Sequence, residues 1–381
     1  MAGIYIHIPF CKQVCYYCNF HFSTSTHYRY EMVNSLVKEI ALSHDFLLND
    51  GKPEIIETIY FGGGTPSLLS EVDIKNLLNV INDHYTIASD AEITLEANPD
   101  DITEEKLIAW KRCGINRLSI GIQSFQEKDL KWMNRAHNSL QATESILRAK
   151  SAGFHNFSID LIYGIPGLTD DEWRKNIDVA IANNIPHMAC YALTIEPRTA
   201  LQKMIELKKK EPVDTEQQAR QFEILMERSR SAGYEHYEIS NFAKPGSRSK
   251  HNSSYWQGKK YVGIGPSAHS YNGILRRWNV ANNPVYIQSI KNNKIPFEEE
   301  KLTAGNKLNE YIMISLRTME GINLKKLQEE FSAHEKLRIV QLINTNNYQS
   351  RGMIHLNEES IRLTDKGKLF ADGIASSLFK V

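Results

Sequence analysis

The first half of the chain alternates a short β-rich run with an amphipathic stretch, and this repeat constrains the fold more than any other feature. Strand-like runs fall at 4–10, 57–64, 91–98, 117–124, 156–164 and 187–195. Helical patterns lie between them, for example at 30–48 and at 171–184, with Thr169 placed to cap the second. Six βα units joined by right-handed crossovers predict an α/β fold, a partial (β/α)6 barrel whose chemistry lies at the carboxyl ends of its strands.

The second half of the chain follows a different pattern. A lysine-rich connection at 203–214 leads to a helical pattern at 216–234 and a strand-like run at 234–243. From about residue 302 the pattern is helical again, and it ends in the hairpin signature "MIHL", "NEE", "SIRLT" followed by one more helix. We therefore expect a core domain at 1–235, a connecting segment at 236–300, and a smaller winged-helix-like α+β domain at 301–381.

Charge argues against a nucleic-acid partner, and hydropathy argues against a membrane-spanning or secreted protein. The chain has 45 Lys and Arg against 45 Asp and Glu, so it lacks the basic surplus of a nucleic-acid-binding protein. We expect the winged-helix-like unit to pack rather than to bind DNA. No stretch approaches about 18 uninterrupted apolar residues, and the N-terminus lacks the pattern of a secretory signal. These features predict a cytoplasmic protein.

Three of the five cysteines lie within eight residues, in the string "CKQVCYYC" directly after the first predicted strand. This C-x3-C-x2-C spacing indicates metal ligation by Cys11, Cys15 and Cys18, because thiols stay reduced in the cytoplasm. A zinc site needs four ligands and is one short unless His21 joins. An iron–sulfur cube held by three thiolates leaves its fourth iron open for a ligand. Cys113 and Cys190 are expected to be small buried hydrophobic residues.

Polar residues lie at or near the ends of the third, fourth and fifth predicted strands. Glu96, Gln123 and Asp160 could face one mouth of the barrel, and Arg135 offers a fork suited to a carboxylate. The string "FGGGTPS" at 61–67 ends the second strand, where glycines let the backbone approach a ligand closely. A mobile turn and solvated side chains are the alternatives for each feature taken alone.

The cysteine spacing and the βα repeat together resemble the radical S-adenosylmethionine (SAM) superfamily. The resemblance implies a [4Fe–4S] cluster whose open iron binds the amino and carboxylate groups of SAM. It also implies that the glycine-rich stretch meets the SAM amino group. Further strings, such as "YIHIPFC" (5–11), "DLIYGIPG" (160–167), "GIGPSAHS" (263–270) and "YIMISLRTMEGI" (311–322), resemble the oxygen-independent coproporphyrinogen III oxidase family, which includes heme chaperones. Eight residues match its SAM-contacting positions: Tyr5, Gly63, Gly64, Thr65, Glu96, Gln123, Arg135 and Asp160, with Tyr17 beside the cluster.

Three departures from the oxidase pattern point to the chaperone branch of this family. The oxidases have a fourth cysteine two residues after the third, where this chain has Phe20. They also carry a longer arm before the first strand, which begins here by residue 4. The string "HNSSYW" at 251–256 resembles a heme-holding motif of the chaperones, with His251 as candidate iron ligand. Tyr255 and Trp256 could pack on the macrocycle.

The resemblance therefore implies a heme chaperone that carries the cluster, binds SAM and heme, and delivers heme to apo-hemoproteins such as respiratory cytochromes. It does not settle whether the protein contacts the membrane through those partners or forms a homodimer. The alternative is an enzyme of porphyrin biosynthesis that decarboxylates the propionates of coproporphyrinogen III with a 5′-deoxyadenosyl radical. A zinc-stabilised interaction module is a third reading.

Overall fold

The computed structural model of the chain describes residues 2–48 and 51–380. All six predicted strands of the first half are present, with ends shifted by a few residues. They are β1 (Ala2–Ile8), β2 (Ile55–Gly63), β3 (Thr86–Ala97), β4 (Arg117–Gln123), β5 (Phe157–Tyr163) and β6 (His187–Ala192). Each pairs in parallel with the next, so the six lie side by side in chain order. This parallel sheet confirms the predicted α/β fold.

Helices connect these strands as the periodicity predicts. They are α1 (Arg29–Leu42), α2 (Glu71–His84), α3 (Glu104–Arg112), α4 (Glu127–Met133), α5 (Ser139–Ser151) and α6 (Asp170–Ala182), with short 3-10 turns at His44–Leu47, Pro66–Leu68 and Pro99–Asp101. Thr169 caps α6 as expected: its hydroxyl accepts from the Glu172 backbone N–H at 3.3 Å, and the Glu172 carboxylate accepts from the Thr169 backbone N–H at 2.9 Å.

The segment after β6 contains more regular structure than its sequence suggested. Its elements are α7 (Ala200–Glu206), α8 (Thr215–Ser231), β7 (Glu235–Glu238), β8 (Asn241–Ala243), α9 (Lys250–Trp256), β9 (Lys260–Ile264), β10 (His269–Tyr271), β11 (Leu275–Asn279), α10 (Asn283–Lys291) and β12 (Phe297–Lys301). The connection at 203–214 thus begins inside α7.

The single strand expected at 234–243 is a tight antiparallel hairpin, because the Glu238 carboxylate accepts the Ser240 backbone N–H and closes the turn.

The HNSSYW string lies in helix α9, not in the loop expected from sequence. Ser249 caps the helix, its hydroxyl accepting from the Asn252 backbone N–H at 3.2 Å. The carboxylate of Glu92, on β3, accepts the backbone N–H groups of Lys250 and His251 at 3.1 and 3.0 Å. A carboxylate at a helix N-terminus stabilises the helix, and this one comes from more than 150 residues away in sequence. The local sequence therefore could not predict helix α9.

The connecting segment extends the sheet on both sides of the six strands. The full order is β12-β11-β10-β9-β1-β2-β3-β4-β5-β6-β8-β7. Strand β9 is parallel to β1, with Tyr5 opposite Gly263, so seven neighbouring strands are parallel. The outer strands are antiparallel.

The C-terminal region forms a small α+β unit around its own apolar cluster. It contains α11 (Ala304–Leu316), β13 (Ile322–Asn323), α12 (Leu324–Glu330), α13 (Ala333–Thr345), β14 (Ile354–Leu356), β15 (Ser360–Leu363), α14 (Asp365–Lys368) and α15 (Ala371–Ser377). The predicted hairpin is β14–β15, and β13 adds a third antiparallel strand. Two short helices replace the single helix expected after it. Ile239 packs against both this cluster and the core of the larger sheet.

The division of the chain into three parts at residues 235 and 300 stays a prediction. Within 2–48 and 51–380 no helix has the length and apolar character needed to cross a membrane.

Candidate functional site

A cavity of about 920 Å³ opens at the carboxyl ends of the parallel strands. Its wall runs from the loop after β1 to the residues after β6, so the sheet curves around it. Eleven of the thirteen residues singled out from the sequence line it: Cys11, Cys15, Tyr17, Cys18, Gly63, Gly64, Thr65, Glu96, Gln123, Arg135 and Asp160. Tyr5 and His251 do not. The strand ends therefore bring together residues that are up to 149 positions apart in sequence.

Hydrogen bonds within the cysteine loop fix its shape, and bonds from Tyr16 N–H to the Met133 carbonyl and from the Asn134 side chain hold it against α4. Cys11 N–H donates to the Ser23 carbonyl at 3.0 Å, and Cys18 N–H donates to the Cys15 carbonyl at 3.2 Å. Asn134, in the left-handed conformation that ends α4, donates its side-chain N–H to the Val14 carbonyl at 2.7 Å. The loop is thereby positioned before any ligand binds.

The donor set of this loop fits an iron–sulfur cluster better than a single metal ion. Burial raises the pKa of Cys11, and burial together with the other two thiols raises the pKa of Cys18 to about 11. Thiolates this close are stable only beside a strong positive charge, such as iron. In an iron–sulfur cube each thiolate binds a different iron, so three thiols of one loop can hold the cube and leave its fourth iron open.

His21, which a zinc site would need as its fourth ligand, is committed elsewhere. Its Nε2 lies 2.7 Å from Asn283 Oδ1, and its side chain does not line the cavity. Phe20 does line the cavity and is 65% exposed. The position where the related oxidases have a fourth cysteine is thus occupied by an exposed aromatic ring.

The glycine-rich end of β2 allows close contact with the cysteine loop. Gly64 N–H donates to the Ile8 carbonyl at 2.9 Å. A Cβ at Gly64 would lie 2.6 Å from the Phe10 carbonyl oxygen and 2.7 Å from that of Ile8. Gly63 has φ +105°, and its N–H donates to the Glu96 carboxylate. The stretch thus packs tightly on the cysteine loop, and its contact with a SAM amino group stays a prediction.

Two half-buried carboxyl groups, those of Glu96 and Asp160, face this cavity. Burial raises the pKa of Glu96 to about 7, and repulsion by Asp160 adds to the shift. Burial also raises the pKa of Asp160 to about 7, although Arg117 and Arg135 oppose it. Tyr60 OH donates to Glu96 Oε1 at 2.8 Å. Because the pKa values of both groups lie near 7, a bound positive charge would favour their ionised forms. The carboxylates could then accept hydrogen bonds from ligand hydroxyl groups.

Arg135 lies beside the cysteines, half-buried in the cavity wall. One terminal nitrogen is 3.3 Å from Cys15 Sγ and 3.5 Å from the Tyr17 hydroxyl. The other donates to Asn98 Oδ1 at 2.7 Å and to the Gly121 carbonyl at 3.0 Å. Its Nε is buried and has no hydrogen-bond partner within the described residues. The two terminal nitrogens hold the guanidinium beside the cysteines, whereas the Nε, enclosed by protein atoms, is left unsatisfied at some cost in stability.

Gln123 ends β4 with φ +65°, an uncommon conformation for a residue other than glycine. The β4–β5 pairing shifts register between Ile120 and Gln123, so the strand bulges where its side chain enters the cavity. Strain of this kind is typical of functional sites.

Sequence reasoning missed several residues of the cavity wall. Asn98, which accepts a hydrogen bond from Arg135, is the last residue of the strand-like run at 91–98, whose end was expected to face the barrel mouth, so its position carried a signal. The C-terminal domain contributes Lys368, Leu369, Phe370, Ala371, Asp372 and Gly373, and Arg317 lies near them. Nothing in the local pattern of these residues indicates a site, because only the packing of the two domains brings them there.

Tyr5 and His251 lie behind the cavity wall. The Tyr5 ring stacks on Tyr60 at 6.1 Å between centroids, and its hydroxyl is 3.3 Å from His7 Nδ1. His251 is 1% exposed; its Nδ1 is 2.8 Å from Thr58 Oγ1 and its Nε2 is 2.9 Å from the Tyr255 hydroxyl. Burial lowers its pKa to about 3, so the imidazole is neutral. Iron ligation by His251 stays a prediction, and it requires one of these hydrogen bonds to break.

Comparisons with known proteins identify the family and the fold. Residues 5–180 match the model of the Radical SAM superfamily, and residues 302–370 match that of the HemN C-terminal domain. The heme chaperone HemW of Bacillus subtilis is 34% identical over 98% of both chains, and HemW of Escherichia coli is 37% identical over 70% of this chain and 69% of that relative. The structure of coproporphyrinogen III oxidase (HemN) from Escherichia coli, described as a radical SAM enzyme, matches with a TM-score of 0.85 at 21% identity, covering 100% of this chain and 90% of that one.

Proposed function

The chain belongs to the HemW family of heme chaperones within the radical SAM superfamily, and we propose that it binds a [4Fe–4S] cluster, SAM and heme and delivers heme to apo-hemoproteins. The observation that carries the proposal is the convergence of Cys11, Cys15 and Cys18 with two half-buried carboxyl groups and Arg135 in one cavity. Three thiols without a fourth protein ligand suit a cube with one open iron.

The residues present fit these cofactors in specific ways. We propose that Cys11, Cys15 and Cys18 bind three irons, with Tyr17 beside the cluster. The cavity also supplies Gly63, Gly64, Thr65, Glu96, Gln123, Arg135 and Asp160 for SAM, while Tyr5 lies behind the wall, stacked on Tyr60. Glu96 and Asp160 would accept from the ribose hydroxyls, and Arg135 would donate to the SAM carboxylate. Bound SAM supplies a sulfonium that a reduced cluster can cleave.

Phe20 argues against the oxidase alternative, since it stands where those enzymes have a fourth cysteine. The structural likeness to HemN concerns the fold and does not decide between the two functions. We propose that the acceptors include respiratory cytochromes, that the protein acts in the cytoplasm, and that any contact with a membrane is made through its partners. The neutral net charge speaks against a nucleic-acid partner.

Two assays on the anaerobically reconstituted protein test this function. Incubation with coproporphyrinogen III, SAM and a strong reductant should yield no protoporphyrinogen. Mixing the heme-loaded protein with an apo-cytochrome b should move heme to the acceptor, read as the Soret spectrum of the acceptor. Decarboxylated product together with no heme transfer would overturn the proposal in favour of the oxidase.

A further inference from the structure

A second cavity, of about 870 Å³, lies between helix α9 and the C-terminal domain. It shares no lining residue with the cysteine cavity. One side is formed by residues 253–276, including Tyr255 and Trp256 of the HNSSYW string. The other side is formed by α11, α12 and the residues between them. A cavity of this volume is within the usual range for small-molecule sites.

Aromatic rings line both sides of the cavity. On the core side, Tyr255 meets Tyr261 edge to face at 4.7 Å, and Tyr261 lies 6.3 Å from Tyr271. On the C-terminal side, Tyr311 and Phe331 lie 5.5 Å apart. All five residues line the cavity. Opposed aromatic walls favour a flat, conjugated ligand, whose faces can pack against rings on each side.

Cations outnumber carboxylates around these rings. The cavity is lined by Arg248, Lys259, Arg276, Lys307 and Lys326, against Glu310, Glu320 and Glu330. Most of the cations are paired; Arg276, for example, lies 2.7 Å from Glu310. Lys307 is different, because its ammonium has no side-chain partner within the described residues. Lys307 can therefore pair with an anionic group of the ligand without losing another contact.

We propose that this cavity binds a flat aromatic macrocycle carrying carboxylate groups, the chemistry of heme, with the ring between the two aromatic walls and a carboxylate on Lys307. The proposal rests on the proposed function, and it puts heme in a different cavity from the one proposed for SAM. The residues that contact heme are then those of the C-terminal domain together with Tyr255 and Trp256, while His251 lies behind Tyr255. The proposal also makes both domains necessary for the site.

Titration of the full-length reconstituted protein with hemin tests this assignment. Lys307→Glu should weaken hemin binding about tenfold or more, because it replaces an attracting charge with a repelling one. Lys307→Arg should restore most of the affinity. The matched control is Lys294→Glu, which makes the same charge change at an exposed residue outside the cavity. Tyr271→Ala should weaken binding several-fold by removing one ring from the wall.

Metal-free protoporphyrin IX serves as a second probe. Its affinity should lie within about tenfold of that of hemin, and Lys307→Glu should lower both affinities by the same factor. The reason is that the cavity contacts the porphyrin ring and its carboxylates rather than the iron. SAM affinity should stay unchanged in every variant. Hemin binding that is equal in wild type, Lys307→Glu and Tyr271→Ala would overturn this site and leave the chaperone proposal standing. A wild-type protein that binds no hemin would overturn both.

Discussion

At the scale of single residues, the three thiols of the loop after β1 support the sharpest prediction. Replacing Cys11, Cys15 or Cys18 with serine should abolish the cluster, because the loop has no spare ligand and His21 is bonded to Asn283. Iron and sulfide analysis after anaerobic reconstitution measures the effect. Cys113→Ser is the matched control, since Cys113 lies outside the cavity. Full cluster content in any of the three loop variants would refute the ligand assignment.

Arg135 makes a second prediction at this scale. Arg135→Ala removes a half-buried guanidinium beside Cys15, so SAM affinity should fall by roughly 1.5–3 kcal/mol, the usual range for a hydrogen bond to a charged group. Calorimetric titration of the reconstituted protein with SAM gives the value. Arg112→Ala, whose side chain is 64% exposed in a surface ion pair, should leave the affinity unchanged. Equal affinity in wild type and Arg135→Ala would show that the guanidinium does not contact SAM.

The two carboxyl groups of the cavity predict a pH dependence. Glu96 and Asp160 have pKa values of about 7 in the folded chain, well above their ordinary values of 4.5 and 3.8. Their protonated forms are therefore favoured by folding, so without ligand their contribution to stability falls as pH rises from about 4 to 7. A cationic ligand favours the ionised forms instead. SAM affinity should rise between pH 6 and 8, by up to about tenfold for each carboxyl that must ionise. Asp160→Asn should flatten this profile, and a flat wild-type profile would contradict the assignment.

At the scale of elements, the glycine end of β2 and helix α9 determine how the site is built. Gly64→Ala would push a methyl group against the carbonyls of Phe10 and Ile8, so we expect a loss of about 1–3 kcal/mol in unfolding free energy. Gly305→Ala is the control, because its methyl group would meet only Thr303 Oγ1, at 3.8 Å. Thermal or denaturant unfolding measures both. Equal stability of the two variants would show that β2 can move away from the cysteine loop.

Helix α9 lies between the two cavities. The His251 ring stacks on Tyr60, whose hydroxyl donates to Glu96, and its Nε2 bonds the Tyr255 hydroxyl at the second cavity. His251→Ala should weaken heme binding, because Tyr255 loses its partner. A shifted Soret maximum would further show that the imidazole binds iron directly, whereas an unshifted one would show that it acts through Tyr255. Unchanged heme affinity would exclude both roles, and His7, His21 and His269 would then be tested as ligands.

These elements show what could be predicted from sequence. The strands β1 to β6 were predictable because their apolar periodicity is local, and the residues at their ends followed from parallel topology. Helix α9 was not, since the distant Glu92 stabilises its N-terminus. The burial of His251 and the left-handed conformation of Gln123 likewise depend on tertiary contacts.

At the scale of the whole molecule, the C-terminal domain contributes to both cavities. Arg317 joins the two domains: its guanidinium donates to the buried Glu238 at 3.1 Å and to Asp372 at 3.0 Å. Arg317→Ala should lower the unfolding free energy by about 1.5–3 kcal/mol, because Glu238 stays buried without its cation. SAM should also dissociate faster, since residues 368–373 line the cavity proposed for SAM. Lys325→Ala, which removes an exposed ion pair with Glu329, should change neither quantity. Wild-type behaviour of Arg317→Ala would show that other contacts hold the domain in place.

The central claim is that one chain holds a cluster and heme at separate sites. Anaerobic reconstitution followed by hemin titration tests it most directly, with iron, sulfide and Soret absorbance measured on one sample. The account predicts about four cluster irons and four sulfides per chain, together with a saturable Soret change at one heme per chain. Cys18→Ser should lose the cluster and still bind heme, because the cavities share no lining residue. A wild-type protein that binds the cluster but no heme, or loss of heme together with the cluster in Cys18→Ser, would contradict it.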